Sequence, residues 1–205
     1  GSFIMGSDST EKEESPSHEV ELSSFYIGKY LITQEQWFEY MNKTCSYNRG
    51  NKNPVEMVSW IDSIIFCNIL SKAEGLSLCY FKREKDIYYD IHANGYRLPS
   101  EAEWEFAAKG GIGSKGYLYS GSNNPFDIGW FKDNSDKCTH EVGLLEANEL
   151  GIYDMSGNVY EYCWDVFKLY TKEKKKNPNI SEYCKESDRH VLRGGNCHGF
   201  SNRLR

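Results

Sequence analysis

The spacing of apolar residues predicts three helices, all in the first half of the chain. The first begins after Thr33, and Gln36 stands three residues on, where its side chain can complete a capping box. Trp37, Tyr40 and Met41 then recur at the i, i+3 and i+4 spacing of one helical face. We therefore expect an amphipathic helix with one buried face here.

The other two helices begin with the same kind of signal. Ser59 precedes a wide apolar stripe and has Asp62 three residues on. Ser100 precedes the third helix and has Glu103 in the corresponding position. A glycine follows each apolar stripe and marks the end of the helix.

The second half of the chain is dominated by turns rather than by periodic segments. Clusters of Gly, Asn, Asp, Ser and Pro mark turns at three places: 121–125, 133–136 and 156–158. Strand-like runs are short and number three: Glu19 to Ile27, Val159 to Trp164 and His190 to Arg193. Helices in front of a loop-rich half with short strands indicate an irregular α+β domain. The 205 residues fit a single domain.

The amino-acid composition predicts a core built largely from aromatic rings. Aromatic residues make up 15% of the chain, while all hydrophobic residues together make up only 39%. A small core built from rings beneath many loops is the expected result. The net charge is −6, and the lysines at 172–176 are interrupted by Glu173, so we expect no nucleic-acid partner.

No stretch approaches the roughly 18–20 apolar residues of a transmembrane helix. The chain begins with Gly1-Ser2, which resembles a remnant of cloning, so the domain is expected over 3–205. Loss of the native N-terminus would have removed any export signal or lipid anchor with it. The expected location is the cell surface or the exported fraction, with lipid anchoring through a removed N-terminus as one route.

Six phrases, in order along the chain, resemble motifs of the formylglycine-generating-enzyme family. They are FIMGS (3–7), YLITQ (30–34), PVEMVSW (54–60), YRLPSEAEWE (96–105), GIYDMSGNV (151–159) and RGG (193–195). Any one of them is weak evidence, but six in the family's order are specific. The resemblance implies the irregular C-type-lectin fold of this family, loop-rich, with few helices and short antiparallel strands.

The resemblance also implies a structural calcium site in the GIYDMSGNV phrase. Carried over by position, the ligands are the side chains of Asp154 and Glu161 and the carbonyls of Gly157 and Val159. Calcium prefers oxygen ligands of both kinds. The alternative is an ordinary acidic turn whose carboxylates bond backbone amides.

The catalytic signature of the family is not found. As the resemblance implies, catalytic members use two cysteines in C-x4-C spacing to hold copper and oxidise a substrate cysteine. Cys197 follows the RGG phrase, but the residues five positions before and after it are Leu192 and Asn202. Soft thiolates suit Cu(I), so losing one of them should disable the site. We therefore expect no copper and no catalysis, and a copper-dependent oxidase remains the alternative.

Other catalytic motifs are not found either. The chain has no GxSxG, HExxH or phosphate-binding glycine loop. Glu101, Glu103 and Glu105 stand in the first turns of the third helix, where negative charge is structurally favoured. The seven cysteines have no CxxC pair, and their odd number leaves at least one thiol unpaired.

Residues around the RGG phrase depart from the family pattern and mix small, polar, aromatic and thiol side chains. Such residues can be written by codons that end in C, which diversity-generating retroelements produce by mutating adenines, and the variable proteins they diversify share the lectin-type fold. The resemblance implies a variable region at roughly 158–205. Its expected exposed binding residues are Tyr160, Tyr162, Asn196, Cys197, His198, Gly199, Phe200, Ser201 and Asn202.

The sequence therefore predicts a non-catalytic, ligand-binding display protein whose surface loops a retroelement diversifies. Tyr, Phe, His and Asn on a rigid frame supply stacking area and adaptable hydrogen bonds, as in antibody loops. The ligand is open among a protein, a small molecule and a glycan. Two other interpretations stay open, an inactive paralogue whose residues merely pack and a structural or regulatory module.

Overall fold

Short helices and strands are joined by long irregular segments in the computed structural model, which describes residues 1–8, 11–178 and 183–205. Its helices are α1 (Gln34–Met41), α2 (Trp60–Ala73), α3 (Glu101–Ala108) and the single turn α4 (Pro125–Ile128). Its strands are β1 (Ser2–Met5), β2 (His18–Glu21), β3 (Tyr80–Arg83), β4 (Asp86–Tyr89), β5 (Glu161–Val166), β6 (Lys175–Lys176), β7 (Tyr183–Lys185) and β8 (His190–Arg193).

All three expected helices are present, and each begins at the expected residue. Thr33 accepts a hydrogen bond from the Gln36 amide, and the Gln36 side chain accepts one from the Thr33 amide. The same reciprocal pair is formed at the start of α2 and of α3. The capping boxes satisfy amides that have no partner within the helix, which fixes where each helix starts.

The strands form three small sheets: β1–β2–β6, β3–β4–β7 and β5–β8. Strand β8 covers the expected residues, whereas β5 starts two residues later than expected and β2 is much shorter. All pairs are antiparallel except β2 and β6, which run parallel. Apart from that pair, the fold class is the one expected, a loop-rich α+β domain with few helices and short antiparallel strands.

Aromatic rings form the largest part of the core. Four rings pack together: Trp60 on α2, Tyr80 on β3, Tyr89 on β4 and Trp164 on β5. The ring centroid of Trp164 lies 5.0–5.6 Å from the ring centroids of the other three residues. A second cluster surrounds Trp104 of α3, which is 1% exposed. Ring packing thus joins the second and third sheets to two helices and supports the loops.

The carboxylates of α3 have structural partners. Glu103 completes the capping box and forms a two-pronged ion pair with Arg97, with both N–O distances at 2.7 Å. Glu105 accepts hydrogen bonds from Arg193 of β8 and from Lys109, each at 2.7 Å. Glu101 accepts one from the Tyr170 hydroxyl at 2.8 Å. These contacts agree with the structural role expected from their place in the helix.

The seven cysteines are all free thiols. Within the described ranges, every helix is too short or too polar to cross a membrane.

Candidate functional site

A tight turn at residues 154–158 leads into β5 and shapes the surface around the RGG phrase. Asp154 and Asn158 have left-handed backbones, with φ of 58° and 60°, and Gly157 has a φ of 90°. A Cβ atom on Gly157 would lie 2.4 Å from the carbonyl oxygen of Trp130, so this position requires glycine. The turn is therefore specified by its backbone and by a close approach from a second loop.

Asn158 holds that second loop in place. Its side chain is fully buried; its Oδ1 accepts from the His140 amide and its Nδ2 donates to the His140 carbonyl, both at 3.1 Å. The Asn158 amide donates to Trp130 at 2.8 Å, and its carbonyl accepts from the Cys197 amide at 2.9 Å. One buried side chain and its backbone thus link three loops.

Of the two carboxylates predicted as calcium ligands, Asp154 is buried within this turn and Glu161 is half-buried at the start of β5. Asp154 accepts from the Gly143 amide at 2.7 Å and from Asn158 Nδ2 at 3.2 Å. Glu161 accepts from the Trp104 indole at 3.0 Å. Burial raises the pKa of Asp154 and raises that of Glu161 to about 7, and the neighbouring Asp154 carboxylate adds to the rise at Glu161.

This donor set fits a hard cation. In the described ranges no Lys, Arg or His forms an ion pair with Asp154 or Glu161, and the hydrogen bonds that these carboxylates accept come from neutral donors. No group of three or more His, Cys, Asp or Glu side chains in these ranges could hold a metal. Carbonyl oxygens, for which Gly157 and Val159 are the sequence candidates, would have to complete the site.

The residues predicted to be variable differ in exposure. Tyr160 and Phe200 are 43% and 59% exposed, and His198 and Asn202 are also exposed. We call these four residues the candidate face. Tyr162, Asn196, Gly199 and Ser201 are half-buried, and Tyr162 packs against the cluster around Trp60.

The expectation of exposure is wrong for Cys197. Its side chain is 3% exposed, because its amide bonds the Asn158 carbonyl and its own carbonyl accepts from Ser135 Oγ at 2.6 Å. These two bonds draw Cys197 into the interior. Burial raises the pKa of its thiol to about 11, so the thiol is protonated at neutral pH when no metal is bound.

The loop at 130–140 supplies a neighbour that sequence reasoning missed. The Lys132 ammonium lies 4.0 Å from the centroid of the Phe200 ring, and the Lys132 amide donates to the Gly199 carbonyl at 2.9 Å. This cation–π contact brings a positive charge to the candidate face. The two residues are 68 positions apart, and no local pattern links them.

A cavity of about 370 Å³ opens between α3, the loop at 116–120 and the end of β8. Trp104, Glu105 and Arg193 contribute to its wall. None of the nine predicted binding residues does. This cavity is therefore separate from the predicted binding residues.

The irregular α+β architecture, the three capped helices and the turn before β5 define a lectin-type domain of the formylglycine-generating-enzyme class. The chain belongs to the sulfatase-modifying factor enzyme 1-like family, whose sequence profile matches residues 1–205. Two named relatives differ in their descriptions. Chaperone protein LppX of Paenibacillus barcinonensis is 41% identical over 192 residues, covering 78% of this chain and 69% of that protein. The formylglycine-generating enzyme of Mycobacterium tuberculosis is 28% identical and covers 83% and 72%.

Among solved structures, Treponema denticola variable protein 1 is similar over the whole chain. The TM-score is 0.84, the sequence identity is 29%, and the match covers 100% of this chain and 84% of that protein. The family resemblance and the fold inferred from sequence are thereby confirmed. The family contains proteins named as enzymes and proteins named otherwise, so membership alone does not establish catalysis.

Proposed function

We propose that this domain is a non-catalytic binding protein that contacts its ligand through the candidate face. The observation that carries this proposal is the contrast between that face and its support. Tyr160, His198, Phe200 and Asn202 are exposed, while Asn158 and Cys197 beside them are buried and hydrogen-bonded. The exposed residues can therefore change without disturbing the residues that position them.

The chemistry of the candidate face suits binding of a varied ligand. Tyrosine and phenylalanine supply contact area with few rotatable bonds, and asparagine and histidine supply hydrogen bonds of both kinds. Lys132 adds a cation held against the Phe200 ring. The ligand class stays open among a protein, a small molecule and a glycan. A display role requires the face to meet its ligand outside the cell, either at the surface or after export.

Diversification by a retroelement is the finer part of the proposal. Its support is the likeness to Treponema denticola variable protein 1, together with the residue types on the candidate face. Such an element would leave a second, near-identical copy of the coding segment that differs at adenines. A genome in which the segment for 158–205 has no such copy would contradict this part and leave the binding role standing.

Randomising the candidate face should preserve folding and yield binders. We expect most clones of a displayed library varied at Tyr160, His198, Phe200 and Asn202 to change the free energy of unfolding by less than about 0.5 kcal/mol per substituted position, because exposed substitutions usually do. Selection against a panel of soluble proteins, followed by thermal unfolding of the clones, measures both outcomes.

A library varied at buried support residues is the matched control. Replacing Asn158 alone leaves the His140 amide and carbonyl without their partner, at a cost of about 1–3 kcal/mol for each buried group. Equal loss of stability in both libraries, or a first library without binders, would refute the proposal.

The second candidate function is copper-dependent oxidation of a cysteine peptide, which the likeness to the Mycobacterium tuberculosis enzyme favours. The buried, protonated Cys197 and the asparagine five residues on argue against it. We expect no aldehyde product when the purified protein is incubated with Cu(I), oxygen, a thiol reductant that supplies two electrons per turnover, and a cysteine-containing peptide whose mass is followed. Treating the Mycobacterium tuberculosis enzyme in parallel controls the assay, and multiple turnovers by this chain would establish the enzyme.

Calcium, if bound, would be held by the carboxylates of Asp154 and Glu161 with the carbonyls of Gly157 and Val159. Its contribution would be to neutralise two buried negative charges and to fix the turn. Because Tyr160 lies between these ligands in sequence, the metal would position the candidate face and take no part in a reaction.

A further inference from the structure

The outward surface of the sheet β3–β4–β7 carries a row of three aromatic rings. Phe81 lies opposite Tyr88, and Tyr88 lies opposite Tyr183. Their centroids are 5.4 Å and 5.6 Å apart, and Phe81 and Tyr183 are 41% and 54% exposed. The alternate residues Ile87 and Cys184 are buried, as strand geometry requires when one side of a sheet packs on the core.

The rings leave part of their faces open. The planes of Phe81 and Tyr88 are nearly parallel, at 9°, yet their centroids are 5.4 Å apart. Rings stacked directly over one another would be about 3.5 Å apart, the contact distance of carbon atoms. The two rings are therefore displaced sideways, and Tyr183, tilted by 32° from Tyr88, is the most exposed of the three.

A second row on the same surface carries charge. Arg83 lies opposite Asp86, and Asp86 lies opposite Lys185. The Arg83 guanidinium lies 5.1 Å from the Phe81 centroid and 5.4 Å from that of Tyr88. In the described part of the chain none of these three charged side chains forms an ion pair. The row thus offers donors at both ends and an acceptor in the middle.

The charges decide what this surface can bind. A nucleic acid needs clustered cations for its phosphates, whereas Asp86 stands at the centre of this row and the chain carries a net charge of −6. A purely apolar partner would remove the charged row from water without replacing its hydrogen bonds. An uncharged polymer that carries hydroxyl groups can accept hydrogen bonds from Arg83 and Lys185 and donate to Asp86. It also brings no charge that these residues would repel.

We propose that this surface binds a neutral glycan chain. Sugar C–H groups, which are positively polarised, pack on the negative faces of Tyr183 and Phe81. Hydroxyl groups accept from Arg83 and Lys185 and donate to Asp86. This site shares no residue with the candidate face, so one domain would hold a glycan on a fixed sheet while its other surface binds a separate ligand.

Titration calorimetry with chitohexaose, cellohexaose and mannohexaose tests the site. We expect at least one hexasaccharide to bind the full chain, and Tyr183→Ala and Phe81→Ala each to weaken that binding on the order of tenfold. Tyr26→Ala is the matched control, because Tyr26 is fully exposed and contacts no other ring in the described ranges. Thermal unfolding should show all three variants folded at the titration temperature, with a small loss of stability only where a cross-strand ring contact is removed.

Three results would overturn the proposal. The first is that none of the three hexasaccharides binds at millimolar concentration. The second is binding that survives Tyr183→Ala. The third is an oligouridine or an acidic peptide that binds in place of the sugars and is lost with the same substitution. Replacing Phe200 by alanine should leave glycan binding intact, which separates this site from the candidate face.

Discussion

Arg193→Met should destabilise the protein by about 3–5 kcal/mol, the usual cost of removing one partner from a buried ion pair. The Arg193 guanidinium lies 2.7 Å from Glu105 and 3.7 Å from Glu101, and all three side chains are at most 15% exposed. Burial alone would raise the pKa of Glu105, but the charges of Arg193 and Lys109 outweigh it and lower that pKa. Methionine has a similar length and no charge, so Glu105 would keep Lys109 as its one cation. Urea unfolding monitored by tryptophan fluorescence measures the loss.

Lys109→Met is the matched control. Lys109 bonds the same carboxylate at the same 2.7 Å distance, but its side chain is 40% exposed and the pair is spaced i, i+4. Because water already solvates the Lys109 ammonium and Arg193 would still neutralise Glu105, we expect a loss of only about 1 kcal/mol, at the level of exposed pairs. A loss for Arg193→Met no larger than that for Lys109→Met would show that burial does not determine the strength of this network.

The network has a consequence for the binding role. Arg193 begins the RGG phrase, and Gly194 and Gly195, with φ of 88° and 73°, turn the chain directly into the candidate face. Arg193 also packs over the ring of Trp104, whose indole bonds Glu161. One side chain therefore ties the end of β8 to α3 and, through Trp104, to the turn that precedes Tyr160. None of the exposed residues of the candidate face belongs to this buried support, as the proposed binding role requires.

Sequence reasoning found the features that depend on neighbouring residues. The starts of α1, α2 and α3 follow from hydrogen bonds across three residues, which a capping box displays in full. The glycine at 157 is also local, since a φ of 90° is accessible to glycine and to few other residues. The six family motifs also predicted the fold of the whole domain.

Sequence reasoning did not find the features that depend on contacts between residues far apart in the chain. Burial of Cys197 follows from bonds to Asn158 and Ser135, which are 39 and 62 positions away. The sheet β3–β4–β7 pairs residues about a hundred positions apart, and its aromatic row has no periodic signal because each strand contributes one ring. Mixed residue types around RGG indicated exposure, but no sequence pattern shows which of them turns inward.

The predicted calcium site brings both kinds of evidence together. Motif resemblance named its candidate ligands, and in the fold Asp154 is buried, Glu161 is half-buried, and neither forms an ion pair with a cation among the described residues. Without a metal, the ionised Glu161 carboxylate destabilises the folded protein, since burial raises its pKa to about 7. With a metal, the same charge becomes a source of stability. This reversal gives the site a signature that an ordinary acidic turn lacks.

Calcium should therefore raise the free energy of unfolding of the native protein by about 2.7 kcal/mol when free calcium is about a hundred times Kd. Glu161→Gln should lose most of that gain. In a chelator the same variant should be at least as stable as the native protein, because the amide still accepts from Trp104 and no longer buries a charge. Scanning calorimetry of both proteins with and without calcium shows whether the order of stability inverts.

Asp165→Asn is the matched control. Burial also raises the pKa of Asp165 to about 7, and its carboxylate accepts a hydrogen bond from the Glu101 amide, away from the turn at 154–158. Calcium should stabilise that variant as much as it stabilises the native protein. If calcium does not change the unfolding of the native protein, the segment is an ordinary acidic turn and not a calcium site.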